Sequence, residues 1–155
     1  MNWQAIKDKF YHCDGSLRDL YVLDTTQEDW QKWIRLINEN YSVEFYDERT
    51  AKIESTIDSD VAIDFLEGKI DSTVNATIRL GTVIVKCYFF ADQEIENDID
   101  PKEVTSMDDH IRIVDYMITV SKYLNKPVIL VEENSQDMVL IMVDKDSVSV
   151  NISTE

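Results

Sequence analysis

Residues 73–90, TVNATIRLGTVIVKCYFF, constrain the fold more than any other stretch. They read as a β-hairpin that turns at Gly81. The second arm is apolar on both faces, with Val83, Val85, Cys87 and Phe89 on one and Ile84, Tyr88 and Phe90 on the other. Only a central or doubly covered strand tolerates that pattern. The rest of the chain must therefore supply its neighbours.

Those neighbours are legible on either side. DLYVLD (19–24) reads as a strand, and TTQEDWQKWIRLINEN (25–40) as a helix capped by Thr25 or Thr26. Glu28 and Asp29 suit its positive end. Trp30, Trp33, Ile34 and Ile37 fall at i, i+3, i+4 and i+7, one apolar stripe. YSVEFYD (41–47) alternates as a strand should, whereas VAIDFLEG within 48–72 fits either a short helix stopped by Gly68 or another strand. SMDDHIRIVDYMITVSKYLN (106–125) reads as a second long helix capped by Ser106. Its expected inner row is Ile111, Val114, Ile118 and Ser121, widened by Met117 and Leu124. Asn125 in a left-handed conformation and Pro127 end it. VILVEE (128–133), MVLIMV (138–143) and VSVNI (148–152) form a terminal meander.

The sum is an α+β fold, with a mainly antiparallel sheet, two principal helices on one face and a C-terminal β-meander. Three Gly and two Pro in 155 residues agree with regular elements and short connections, and the length suits one domain over 1–155. The start, MNWQAIKDKF, places Lys7, Asp8 and Lys9 where a secretory signal would be apolar. No apolar run reaches the roughly 18 residues of a membrane span. Cys13 and Cys87 lie in very different contexts and read as free thiols of a cytoplasmic protein.

Charge is the strongest global property. Thirty-one acidic residues against 15 basic ones give a net charge of -16. Such a surface repels nucleic acid and anionic membranes and attracts basic partners. The excess peaks in DQEIENDIDP (92–101), where Asp92, Glu94, Glu96, Asp98 and Asp100 occupy every second position. In an extended strand these five share a face at roughly 7 Å spacing, with Ile95, Asn97 and Ile99 turned to the core. Three readings compete: a solvated edge that blocks aggregation, a docking surface for a basic protein, and a divalent-metal site. Tyr88 and Phe90, just before the row, would serve as anchors if exposed.

Catalytic motifs are scarce. The chain lacks G-x-S-x-G, and its glycines at 15, 68 and 81 cannot form a phosphate loop. His12-Cys13-Asp14 reads as a loop thiol rather than a dyad, Cys87 as a small buried hydrophobe, and His110 as a residue on a helix's wet face.

In its organisation the chain resembles the immunity proteins of bacterial polymorphic-toxin and contact-dependent inhibition systems. The stretches that carry the likeness are DLYVLDTTQEDWQKWIRLI, KCYFFADQEIENDIDP and KPVILVEEN. The resemblance implies a non-catalytic protein without cofactor that neutralises a basic, nuclease-like toxin by direct binding. Asp92, Glu94, Glu96, Asp98 and Asp100, with Tyr88 and Phe90, are the expected partner-binding residues. The alternatives are a metal-dependent hydrolase built on the 92–100 carboxylates and an acidic regulatory subunit.

Overall fold

The computed structural model describes residues 1–150. Four α-helices and nine strands are found among them. In chain order these are α1 (Trp3–Phe10), β1 (Arg18–Leu23), α2 (Gln27–Asn40), β2 (Ser42–Asp47), β3 (Lys52–Glu54), α3 (Ser59–Leu66), β4 (Val74–Leu80), β5 (Val83–Cys87) and β6 (Glu94–Ile99). A 3₁₀ turn (Pro101–Glu103), α4 (Met107–Leu124), β7 (Val128–Glu132), β8 (Val139–Asp144) and β9 (Ser147–Val150) follow. The strands form one sheet in the order β3-β2-β4-β5-β6-β1-β7-β8-β9. Every pairing in it is antiparallel. The fold is α+β and ends in the expected meander; residues 151 and 152 of its last expected strand lie outside the described residues.

Local sequence explains the helix boundaries. Thr26 caps α2 in a full capping box with Asp29, and Ser106 caps α4 through the Asp109 amide. Asn125 ends α4 at φ +55°, which Asn tolerates better than most residues because its side chain bonds locally. The ambiguous 48–72 stretch resolves into β3 and α3, and Gly68 at φ +75° stops the helix. The first helix was not anticipated. Its signals were present in the Asn2 side chain, which accepts the Ala5 amide, and in the buried Ile6 and Phe10.

All four helices contribute to one core with one face of the sheet. The α2 stripe packs as expected: Trp30, Trp33 and Ile37 are fully buried and Ile34 nearly so. The inner row of α4 agrees in part. Ser121, Met117 and Leu124 are buried as expected, but Ile111 is 47% exposed and Val114 and Ile118 are only half-buried, and Ile113, Tyr116 and Val120 are buried instead. The helix carries two overlapping apolar rows, and the sequence does not say which will face the sheet. Tyr116 lies on the buried row, where its ring meets Tyr41 and its hydroxyl reaches Asn97 of β6.

Both cysteines are free. Cys87 is fully buried in β5, and burial pushes its thiol far up, while Cys13 is exposed in the loop before β1. In the native state Cys13 is expected to react with a thiol reagent at a solvent-limited rate, and Cys87 only on unfolding. A mass-resolved labelling time course checks this; equal rates for the two would contradict the burial of β5.

Candidate functional site

The face of the sheet opposite the helices carries the acidic row, but not at an edge. β6 is fifth of nine strands and is hydrogen-bonded between β5 and β1. The edge position in the solvated-edge reading is corrected accordingly: the row lies in mid-sheet. Alternation along a strand tells which side chains share a face, not which strand lies beside it, and β1 arrives from some 70 residues away. The alternation itself holds. Ile95, Asn97 and Ile99 are buried in the helical layer, and Glu94, Glu96 and Asp98 lie half-buried on the open face.

The structure keeps only these three of the five carboxylates in the row. Asp92 precedes β6, in a turn whose carbonyl accepts the Thr25 hydroxyl at 2.7 Å. Asp100 follows β6 and caps the 3₁₀ turn by accepting the Lys102 amide at 3.0 Å.

Register brings in residues that sequence reading missed. Asp98 pairs with Asp19 of β1 on one side and Lys86 of β5 on the other. Glu96 pairs with Tyr21, and Glu94 with Leu23. The signals were an acid set inside the apolar DLYVL and the one base in VIVKCYFF. Lys86 donates to the Thr77 hydroxyl at 2.7 Å and sits 6.0 Å from the Tyr88 ring centre. Its single charge opposes several carboxylates.

The electrostatics follow. Burial, then the nearby Asp19 carboxylate, raises Asp98 to about 6, against the pull of Lys86. Burial and Asp19 also raise Glu96, and burial raises Asp19 itself. These groups are coupled and titrate as a set. Because the folded-state pKa of Asp98 lies above its unfolded value, its ionisation opposes folding at neutral pH, and that cost fades as pH falls through about 6. Asp98→Asn is therefore expected to raise stability at pH 7 by about 1 kcal/mol, discounted for partial exposure, and to add little near pH 4. Paired thermal melts at the two pH values check the sign.

Aromatic residues flank the row. β5 ends at Cys87 because Phe89 adopts φ +57° and turns into the core, 1% exposed. Tyr88 and Phe90 are left on the outside, stacked with ring centres 5.5 Å apart and 24° between planes. Phe90 is 66% exposed. So the second apolar face expected for this strand is not covered by the fold. A shallow cavity of about 360 Å³ lies between Lys86, Tyr88, Asp98, Asp100 and Glu103.

The row stands on a rigid base. On the core side the Tyr116 hydroxyl donates to Asn97 Oδ1 at 2.6 Å and accepts the Trp33 indole N–H at 3.2 Å. The Asn97 amide donates to the Glu96 carbonyl at 2.9 Å. This satisfied polar chain ties β6 to both long helices.

Elsewhere the chemistry is structural. His110 is not on a wet face: it stacks on Phe10, its Nδ1 lies 2.7 Å from the Tyr11 hydroxyl, and burial lowers its pKa. The end of α1 provides that cover. Arg18 is fully buried and donates to the carbonyls of Phe10, His12 and Leu17 and to the Ser16 hydroxyl, fixing the loop that holds Cys13. Among the described residues no group of three or more His, Cys, Asp or Glu side chains is arranged to hold a metal ion. No helix among them is long and apolar enough to cross a membrane.

Comparison with known proteins adds no likeness: no family model, no curated protein and no solved structure matches the chain.

Proposed function

We propose that this protein is a non-catalytic, cytoplasmic binding protein that neutralises a basic partner by covering its cationic surface, in the manner of an immunity protein against a nuclease-like toxin. The observation that carries this reading is the open face of β6. Glu94, Glu96 and Asp98 stand there in one register, next to a stacked Tyr88–Phe90 pair whose outer ring is exposed.

Physical reasoning joins the two parts. A nuclease needs a basic cleft to hold phosphates. A dense acidic row steers such a cleft into encounter and occupies the place of its substrate. An aromatic pair beside the row supplies apolar area that becomes energetically useful once desolvated by the partner. The raised pKa of Asp98 fits the same picture: a carboxylate crowded by like charge gains most when a partner brings a cation to it. The rigid base under β6 limits the ordering that binding would require.

The test is association with the product of the neighbouring gene, measured for the wild type and for a variant of β6 with its charges removed. A partner that binds both at the same rate across a range of salt would remove the acidic row from the interface.

A further inference from the structure

The shallow cavity at the end of the acidic row exists because β5 and β6 part company. The two strands share a single register pair, Lys86 with Asp98. Two residues back along β5, the Ile84 amide donates to Glu103 Oε1 at 3.1 Å rather than to a β6 carbonyl. Past the pair, β6 gives way to Asp100, whose Oδ1 caps the 3₁₀ turn. A cleft of about 360 Å³ remains on the open face, lined by Ile84, Lys86, Tyr88, Asp98, Asp100 and Glu103. That volume lies at the low end of the roughly 300–1,000 Å³ of ligand sites and suits one inserted side chain.

The lining has acceptors to spare. No described residue donates a hydrogen bond to the Asp98 carboxylate. Lys86, opposite it in register, donates instead to the Thr77 hydroxyl at 2.7 Å. Asp100 and Glu103 each accept a backbone amide on one oxygen, which fixes the carboxylate and leaves the second oxygen over. Three carboxylates thus face one ammonium that is held aside. Ile84 and Tyr88 add apolar surface between them.

We infer that this cleft takes one arginine side chain of the basic partner, its guanidinium shared by Asp98, Asp100 and Glu103 and its stem lying along Ile84 and Tyr88. The inference rests on the proposed reading of the open face as the partner-binding surface. Charge complementarity selects a cation. The spread of acceptors over three carboxylates selects a planar fork with five donors over the compact ammonium of lysine. An aliphatic stem covers apolar surface while its charged head stays among the acids. Charge-assisted hydrogen bonds formed on anchored acceptors are strong and cost little ordering.

A small probe tests the cleft on the full chain without a partner. N-acetyl-arginine amide is titrated at constant ionic strength, and backbone amide signals are followed by NMR. Saturable shifts are expected at Ile84, Lys86 and Asp98, with a far smaller response at Glu94, at the other end of the row. N-acetyl-citrulline amide has the shape without the charge, and N-acetyl-lysine amide has the charge without the fork. Each should bind at least about fivefold more weakly. Asp98→Asn should weaken the arginine probe about fivefold or more. Glu103→Gln, which keeps an acceptor for the Ile84 amide, should weaken it about threefold. Shifts spread evenly to Glu94, equal binding of the citrulline or lysine probe, or undiminished binding in both variants would overturn the proposal. Partner association that depends on the row, without localised probe binding, overturns the cleft and spares the functional reading. Localised probe binding with a partner that ignores the row overturns the reading and spares the cleft.

Discussion

Removing the charges of the row and its end cap, by Glu94→Gln, Glu96→Gln, Asp98→Asn and Asp100→Asn, is expected to slow association with the basic partner about tenfold or more at low ionic strength. The wild type should lose the same advantage as salt rises, because screening shortens the reach of the field to about 8 Å at physiological ionic strength. The structure makes this a clean substitution. The side chains of Glu94, Glu96 and Asp98 emerge on the open face, and an asparagine at 100 can still accept the Lys102 amide that Asp100 accepts. Folding should be unharmed or improved, since crowding of Asp98 with Asp19 and Glu96 is relieved. Dissociation should change less than association if the row mainly steers, whereas Phe90→Ala should act mainly on dissociation. Stopped-flow association over a salt series separates the two. A variant that associates at wild-type speed at every salt concentration would leave the row as a solubilising surface.

Trp33→Ala is expected to cost about 3–5 kcal/mol of stability, read as a lowered denaturant midpoint. Trp33 is fully buried, with edge-to-face contacts to Trp30 at 5.5 Å and Phe89 at 6.3 Å. Alanine would leave a cavity beside Trp30 and Phe89 and remove the indole donor from the Tyr116 hydroxyl. Tyr116 would keep Asn97 as its acceptor. Tyr116→Phe makes the complementary change, leaving Asn97 Oδ1 without its donor at a cost of about 1–3 kcal/mol. A Trp33→Ala protein with an unchanged midpoint would contradict the packing of α2.

The same two regions show what was legible from residues alone. Trp30, Trp33, Ile34 and Ile37 were readable as an inner stripe because an α-helix repeats every 3.6 residues and these four fall at i, i+3, i+4 and i+7. Ile95, Asn97 and Ile99 were readable as the inner side of β6 because a strand alternates. In α4 the same reasoning picked Ile111, Val114 and Ile118, since two apolar rows lie side by side and periodicity alone cannot rank them. The partial burial of His110 was not legible because its cover, Phe10 and Tyr11 at the end of α1, comes from about 100 residues away in the chain.

By itself, then, the sequence determined the α+β class, the boundaries of the long helices and the faces of most strands. These depend on caps, periodicity and turn residues within a few positions of one another. Only the tertiary structure decided the neighbours. It placed β1 beside β6, so that Asp19 and Lys86 flank Asp98 across strands and the acidic row stands in mid-sheet. It also brought the Asn134 amide to Asp19 and left Phe90 in water. Pairing between distant segments is settled by the burial of the whole core, a sum that no local window contains.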